Sequence, residues 1–99
     1  MYELRYRRPA EKYFKKIKDK NLIAAYRYAL TTISVDPYNA GEAKTGDLAG
    51  IYCRDVHYKR TNYEIAYQIF EKNGAFVVVI LAGTRENFYQ ELKRYMKQP

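Results

Sequence analysis

The chain is poor in the residues that form covalent or metal cross-links. Its 99 residues include one cysteine, Cys53, and one histidine, so an internal disulfide is excluded and neither a metal site nor a cofactor is expected. The longest apolar run, residues 75–82, is far too short to span a membrane, and the first residues lack the apolar stretch of a signal peptide. We therefore expect a cytoplasmic protein without a membrane partner.

Tyrosine and positive charge are abundant instead. The chain has 12 Tyr and 4 Phe, and its 18 Lys and Arg against 11 Asp and Glu give a formal net charge of +7. The length of 99 residues suits one domain, and a hydrophobic content of 47% suffices for a small core. A basic domain of this size favours an anionic partner, either nucleic acid or an acidic protein segment.

The spacing of apolar residues predicts a first strand followed by two helices. Residues 2–7 alternate and are rich in tyrosine, as in a strand with one buried face. Pro9 suits the first turn of a helix whose apolar stripe covers residues 10–17. A second stripe covers residues 22–33, and this helix ends before Pro37. Two helices joined by so short a turn form an antiparallel hairpin.

The second half of the chain changes to the two-residue period of strands. Residues 38–50 contain three glycines and are predicted to be loop. Three antiparallel strands follow, the middle one half-buried by its alternation and the last, apolar throughout, buried on both faces. These strands and their connecting turns are, in order, 51–58, 59–62, 63–69, 72–74 and 75–82. Thr84 is the predicted N-cap of a C-terminal helix.

The predicted order β-α-α-β-β-β-α is an α+β fold, with an antiparallel sheet packed on the N-terminal helical hairpin and a C-terminal helix. Three segments at characteristic spacing are residues 46–52, 62–69 and the strand-to-helix join 81–89. In their order and spacing the chain resembles the RelE/ParE superfamily of toxins from type II toxin–antitoxin modules. The resemblance covers nearly the whole chain and implies one RelE-like domain over residues 1–99.

The resemblance implies a compact toxin that a cognate antitoxin neutralises. Most understood members are ribosome-dependent endonucleases that cut mRNA in the ribosomal A site, whereas the ParE branch poisons DNA gyrase and cuts nothing. We expect the endonuclease activity, and a ParE-like gyrase inhibitor is the alternative. The expected partners are an antitoxin, the ribosome and mRNA. Whether two toxins and two antitoxins assemble into a heterotetramer stays open.

A nuclease that works without metal uses the 2′-hydroxyl of RNA as its nucleophile. It needs a base for that proton, cations for the charged transition state and an acid for the leaving 5′-oxygen, and it produces a 2′,3′-cyclic phosphate. Arg85 stands at the start of the last helix, where a guanidinium can bind phosphate and where related endonucleases carry a functional Arg. Tyr89, one helical turn on, is a candidate for base stacking or for protonating the leaving group; a place in the core is its alternative.

Three further side chains are candidates for the same chemistry. His57 is the only residue whose unperturbed pKa lies near neutrality, and Asp55 on the same strand face can orient its ring. Glu42 precedes Gly46 by four residues, and the resemblance aligns it with the general-base Glu of the YoeB branch. Lys44 in the same loop can neutralise phosphate. A solvated surface position is the alternative for His57, Glu42 and Lys44.

Arg54, Lys59 and Arg60 join Lys44 as predicted RNA-binding residues. Strict alternation places Arg54 on the same strand face as apolar neighbours, so a buried ion pair is the alternative for this arginine. Lys59 and Arg60 fall in the predicted turn after that strand.

One position departs from the family pattern. Glu64 stands where many relatives carry a phosphate-binding Arg; a carboxylate cannot make that contact, although it can serve as a base. Cys53 and Asp55 stand where the RelE branch has lysines, so this strand face is nearly neutral. We still expect a cationic pocket, floored by the three C-terminal strands and capped by residues 84–89, in which Arg85 and His57 both face the scissile phosphate.

Overall fold

A computed structural model describes residues 1–98, and within them five strands form one mixed sheet that carries four helices. The strands are β1 (Glu3–Tyr6), β2 (Glu42–Ala43), β3 (Tyr52–Tyr58), β4 (Thr61–Phe70) and β5 (Phe76–Thr84). The helices are α1 (Arg8–Lys16), α2 (Lys20–Val35), α3 (Pro37–Ala40) and α4 (Phe88–Met96). The sheet order is β1-β5-β4-β3-β2, with only β1 and β5 parallel. The predicted α+β class is confirmed.

The N-terminal helices form where the apolar stripes predicted them. Pro9 lies in the first turn of α1, where its missing N–H costs no hydrogen bond. Asp19 begins α2, and its Oδ1 accepts hydrogen bonds from the backbone N–H groups of Asn21 at 2.9 Å and Leu22 at 3.3 Å. The Asp19 carboxylate also accepts a hydrogen bond from Tyr58 Oη at 2.9 Å, which ties the helical hairpin to the end of β3.

The first core lies between these helices and one face of the sheet. Tyr26 and Ile33 of α2 pack with Ile65, Tyr67 and their neighbours on the central strands, and all four are at most 1% exposed. The two-residue alternation, which predicted that one face of the middle strand packs into the core, is therefore confirmed for Ile65 and Tyr67.

A second core covers the opposite face of the same strands. Phe88 and Leu92 of α4 pack on Ala66 and Ile80, and all four are at most 1% exposed. The prediction that the middle strand is half-buried is therefore wrong, because α4 returns over its second face. The prediction of a doubly buried last strand is confirmed for β5.

Two further local predictions are corrected by the structure. The segment 38–50 is not uniform loop, because it contains most of α3, the two-residue strand β2 and a 3-10 turn at Gly46–Leu48. Thr84 is not an N-cap, because β5 continues through it and α4 begins three residues later than expected. Asn87, in the left-handed conformation with φ 61°, reverses the chain at this point.

The hairpin turns lie close to their predicted places. Lys59 and Arg60, with φ of 47° and 63°, form a two-residue turn between β3 and β4, as tight hairpins require. Asn73 and Gly74 have positive φ values in the next turn. Among the described residues, no helix combines the length and the apolar character needed to cross a membrane.

Candidate functional site

A cavity of about 300 Å³ lies between the β2–β3 edge of the sheet and the start of α4. It combines cationic, acidic and aromatic side chains from three separate segments of the chain. The charged and aromatic residues that line it are Glu42, Lys44, Arg54, Asp55, Arg85 and Tyr89. Five of these six were candidates from the sequence, so the fold brings most of the predicted set together.

Glu64 lies next to this cavity and is fully buried. Its Oε1 accepts a hydrogen bond from Tyr89 Oη at 3.3 Å. Its Oε2 lies 3.5 Å from Arg85 Nε, an ion-pair contact, but accepts no hydrogen bond. The residue thus has one satisfied and one unsatisfied oxygen, an arrangement that penalises the ionised form.

Several groups determine the ionisation of Glu64. Burial raises its pKa most, and the neighbouring Asp55 carboxylate, its cross-strand partner, raises it further. Tyr89 and Arg85 lower the pKa, but the balance still raises it to about 7. A carboxyl group that titrates near neutrality beside a polar cavity can both donate and accept a proton there.

Lys44 and Glu42 form the outer wall of the cavity. Lys44 Nζ donates to Glu42 Oε1 at 2.7 Å and lies 5.1 Å from the centre of the Tyr89 ring. The bond to Glu42 is the main reason why the pKa of Lys44 is raised. The Lys44 side chain is only 22% exposed, so this lysine is not the plainly solvated residue that the sequence allowed, whereas Glu42 is 79% exposed.

Close packing of the backbone holds this wall in place. Glu42 pairs with Cys53 across β2 and β3. A Cβ atom on the preceding Gly41 would lie 2.6 Å from Tyr67 Oη and 2.8 Å from the Cys53 carbonyl oxygen. Only glycine fits here without displacing backbone, so Gly41 positions Glu42 and Lys44.

The strand-to-helix join places Arg85 and Tyr89 on the opposite wall. The Arg85 N–H donates to the Asn62 carbonyl oxygen at 2.9 Å, which fixes this join to β4. The Arg85 side chain is 56% exposed. Tyr89 is half-buried against the second core, and burial is the main cause that raises its pKa to about 12. Tyr89 therefore belongs to both the core and the cavity, the two alternatives that the sequence left open.

Arg54 lies at the edge of the cavity and is half-buried. Its Nη1 donates to the Ala40 carbonyl oxygen at 3.0 Å, and its Nε is buried without a hydrogen-bond partner. Arg54 forms no ion pair within the described residues, so the proposed buried ion pair is wrong. The guanidinium retains N–H groups for another acceptor.

His57 does not share the cavity with Arg85, which corrects the expected arrangement. It lies on the same strand face as Glu64 by register, but it lines a separate groove along β3 and α2. Its Nδ1 lies 2.7 Å from Asn62 Oδ1 in an exposed pair, so Asn62 rather than Asp55 orients the ring.

Lys59 and Arg60 do not line the cavity either. Both belong to the tight turn beyond β3, and the Lys59 ammonium lies 5.3 Å from the centre of the Tyr58 ring. Tyr58 in turn binds Asp19 between the N-terminal helices, on the far side of the sheet from α4. Their predicted role in binding RNA stays a prediction.

The cavity holds acidic as well as basic side chains, which the expected cationic pocket did not include. Lys44, Arg54 and Arg85 supply three positive charges. Glu42 and Asp55 line the same space and Glu64 adjoins it, although Glu64 is largely neutral at low pH. The site therefore becomes more cationic as Glu64 takes up a proton.

Sequence reasoning assigned Asp55 only a supporting role beside His57. Its cross-strand pairing with Glu64 makes it part of the acidic pair instead. Cys53, buried beside the same residues, has its pKa raised to about 12 by burial, so it remains a thiol at neutral pH. The pairing register of β3 with β4, which places Asp55 and Cys53 beside Glu64, is the one feature that could have indicated these two residues. Within residues 1–98, no cluster of three or more His, Cys, Asp or Glu could hold a metal ion.

The fold is that of solved RelE-type toxins. An arginine-to-alanine double mutant of E. coli RelE in the free state is 18% identical, with a TM-score of 0.75 over 99% of this chain and 98% of that one. The Mycobacterium tuberculosis toxin–antitoxin complex RelBE2 is 24% identical, with a TM-score of 0.66 over 85% and 98%. The intact E. coli RelBE complex is 20% identical, with a TM-score of 0.62 over 84% and 95%.

The sequence comparison gives the family. The family described as "ParE-like toxin of type II bacterial toxin-antitoxin system" matches residues 4–93. The chain belongs to this family, within the RelE/ParE superfamily that its sequence resembled. A search of curated proteins found no match.

Proposed function

We propose that this toxin is a ribosome-dependent, metal-independent mRNA endonuclease that inhibits translation. The observation that carries the proposal is the cavity itself. It holds two cations, Lys44 and Arg85, beside two carboxyl groups of different character, the exposed Glu42 and the buried Glu64. Cleavage through the 2′-hydroxyl needs these two kinds of group in one place.

The proposed roles follow from exposure and charge. Glu42 is an exposed carboxyl on the cavity wall, so it takes the proton of the 2′-hydroxyl. The Arg85 guanidinium and the Lys44 ammonium bind the non-bridging oxygens of the phosphate, and Arg54 adds a partly buried cation at the edge. The ring of Tyr89, on the same wall as Arg85, offers a surface for stacking a base.

Charge also supports the proposed partners. The net charge of +7 favours docking on ribosomal RNA, with an affinity that falls steeply as salt rises. Two structural neighbours are complexes of a toxin with its antitoxin. We propose by analogy that this chain is neutralised by a cognate antitoxin with an acidic segment, and that it acts in the cytoplasm.

The proposal is tested by brief expression of the protein followed by mapping of mRNA 5′ ends. We expect cuts within translated codons, abolished by Arg85→Ala and retained by Arg94→Ala, which removes an exposed arginine of α4 outside the cavity. Intact mRNA with failed DNA supercoiling and double-strand breaks would refute the endonuclease and indicate a ParE-like gyrase inhibitor.

A further inference from the structure

Glu64 carries a buried oxygen without a hydrogen-bond partner beside a polar cavity. The residue is fully buried, and its Oε2 meets only the ion-pair contact of Arg85 at 3.5 Å. A carboxylate oxygen in that position is poorly solvated, whereas a carboxylic acid can direct its O–H toward an acceptor. The unpaired oxygen therefore favours a protonated Glu64, whose O–H can donate a hydrogen bond to an acceptor in the cavity.

Among the groups around Glu64, Arg85 is the cation that favours its ionised form. Asp55 and Cys53 face it from β3, Tyr89 from α4 and Arg85 from the join before α4. Asp55 favours the protonated form, and Lys44 is already bound to Glu42 at 2.7 Å. Tyr26 on the opposite face of the sheet stays a neutral phenol, because burial raises its pKa strongly.

Arg85 is held loosely. Its side chain is 56% exposed, and within residues 1–98 its guanidinium donates no hydrogen bond to another group; its one ionic partner is Glu64. A phosphodiester in the cavity offers two exposed oxygens in the planar arrangement that a guanidinium prefers. Such a ligand can therefore draw Arg85 outward, which uncovers Glu64.

We propose that Glu64 is the proton donor of this site, and that a bound phosphodiester prepares it by withdrawing Arg85. The proposal rests on the endonuclease function and assigns its acid. The 2′-oxygen bonds to phosphorus as Glu42 takes its proton, the bond from phosphorus to the 5′-oxygen breaks, and Glu64 gives its proton to that oxygen. A cyclic phosphate and a 5′-hydroxyl leave, and Glu64 regains a proton from solvent as Glu42 releases one.

Proton uptake on binding is the measurable consequence. The loss of Arg85 and the arrival of a negative phosphodiester both favour the neutral form of Glu64. In the protein without ligand, burial raises the pKa of Glu64 to about 7, so this carboxyl can take up a proton near neutral pH. By linkage, a phosphodiester must bind more tightly as pH falls through this range.

The test follows the Glu64 carboxyl carbon by NMR in protein labelled with ¹³C-glutamate, with the signal assigned by its loss in Glu64→Gln. The probe is a dinucleotide whose 2′-deoxy sugar prevents cleavage and whose phosphodiester does not titrate near pH 7. We expect saturation to raise the titration midpoint of Glu64 by at least one pH unit. In Arg85→Gln the midpoint is already raised in the free protein, and the probe raises it less. Glu86→Gln, which removes an exposed carboxylate beside Arg85, leaves the response unchanged.

The proposal is overturned if saturation with the dinucleotide leaves the titration midpoint of Glu64 unchanged or lowers it. It is also overturned if millimolar dinucleotide does not shift the NMR signals of the cavity residues. In cleavage assays Glu64→Gln should reduce the rate roughly 10²–10⁴-fold. The decline that the wild-type rate shows at high pH should be absent from this variant. Cleavage with an unchanged pH profile in this variant would refute the donor role and leave the endonuclease standing. A raised midpoint without any cleavage would refute the endonuclease and leave the proton-coupled site.

Discussion

Replacing Glu64 by glutamine tests whether the fold tolerates a buried carboxyl that resists ionisation. Glutamine keeps the size of the side chain and can still accept the hydrogen bond from Tyr89, but it cannot ionise. Folding raises the pKa of Glu64 from 4.5 to about 7, chiefly through burial. Between these two values the folded protein holds a proton that the unfolded chain has released.

The size and sign of the effect follow from this difference. The interval from 4.5 to about 7, at about 1.4 kcal/mol per pH unit, corresponds to about 3.5 kcal/mol. Exposed charged side chains line the adjoining cavity, and screening on that side reduces the expected value to about 2 kcal/mol. The ionisation penalty is absent below pH 4.5, grows as pH rises, and is fully present above pH 7.

Urea unfolding of the wild type and Glu64→Gln, followed by far-UV circular dichroism at pH 4.5 and pH 8, measures this penalty. The stability of the variant relative to the wild type should increase by about 2 kcal/mol between the two pH values, or roughly 8–16 °C in Tm. Glu86→Gln, an exposed change, should show no such increase. A relative stability of Glu64→Gln that is the same at both pH values would refute the reasoning.

Three further substitutions test how the site is positioned, each read as a change in the free energy of unfolding. Gly41→Ala forces a Cβ against Tyr67 and should cost roughly 1–3 kcal/mol, whereas Gly83→Ala, which meets no atom within 4 Å, should be nearly neutral. Tyr67→Phe removes the buried 2.7 Å hydrogen bond to Pro37 and should cost about 1–2 kcal/mol. Asp19→Ala removes the cap of α2 and should lower the stability at pH 7; because the hydrogen bond from Tyr58 and the capping bonds lower the folded pKa of Asp19, this loss should shrink as pH falls through that pKa. Equal losses of unfolding free energy in the two glycine variants, or no loss in Tyr67→Phe and Asp19→Ala, would contradict this reasoning.

The residue pattern within single segments was sufficient to predict the helices and strands and part of the candidate site. The alternation of β4 and the helical spacing of α2 are properties of single segments, so they could be read directly from the sequence. Arg85 and Tyr89 fall on one short join of the chain, so their closeness could be expected from the sequence, and both line the cavity.

The remaining features depend on contacts between distant segments. Alternation alone could not show that α4 covers the second face of β4 and buries Glu64, nor that register pairs it with Asp55. The place of His57 outside the cavity depends on where β2 ends along β3. Thr84 was misjudged because β5 continues through it and the left-handed Asn87, three residues later, precedes α4.

The central claim is that this cavity cleaves RNA through the 2′-hydroxyl of its own substrate. Incubating the purified protein with ribosomes on a defined mRNA, and determining the chemistry of the new ends, tests it most directly. The account predicts a 2′,3′-cyclic phosphate and a 5′-hydroxyl, and no cut when the nucleotide before the scissile bond carries a 2′-deoxy sugar. Ends with a 3′-hydroxyl and a 5′-phosphate, cleavage of the deoxy-substituted message, or an uncut natural message would contradict it.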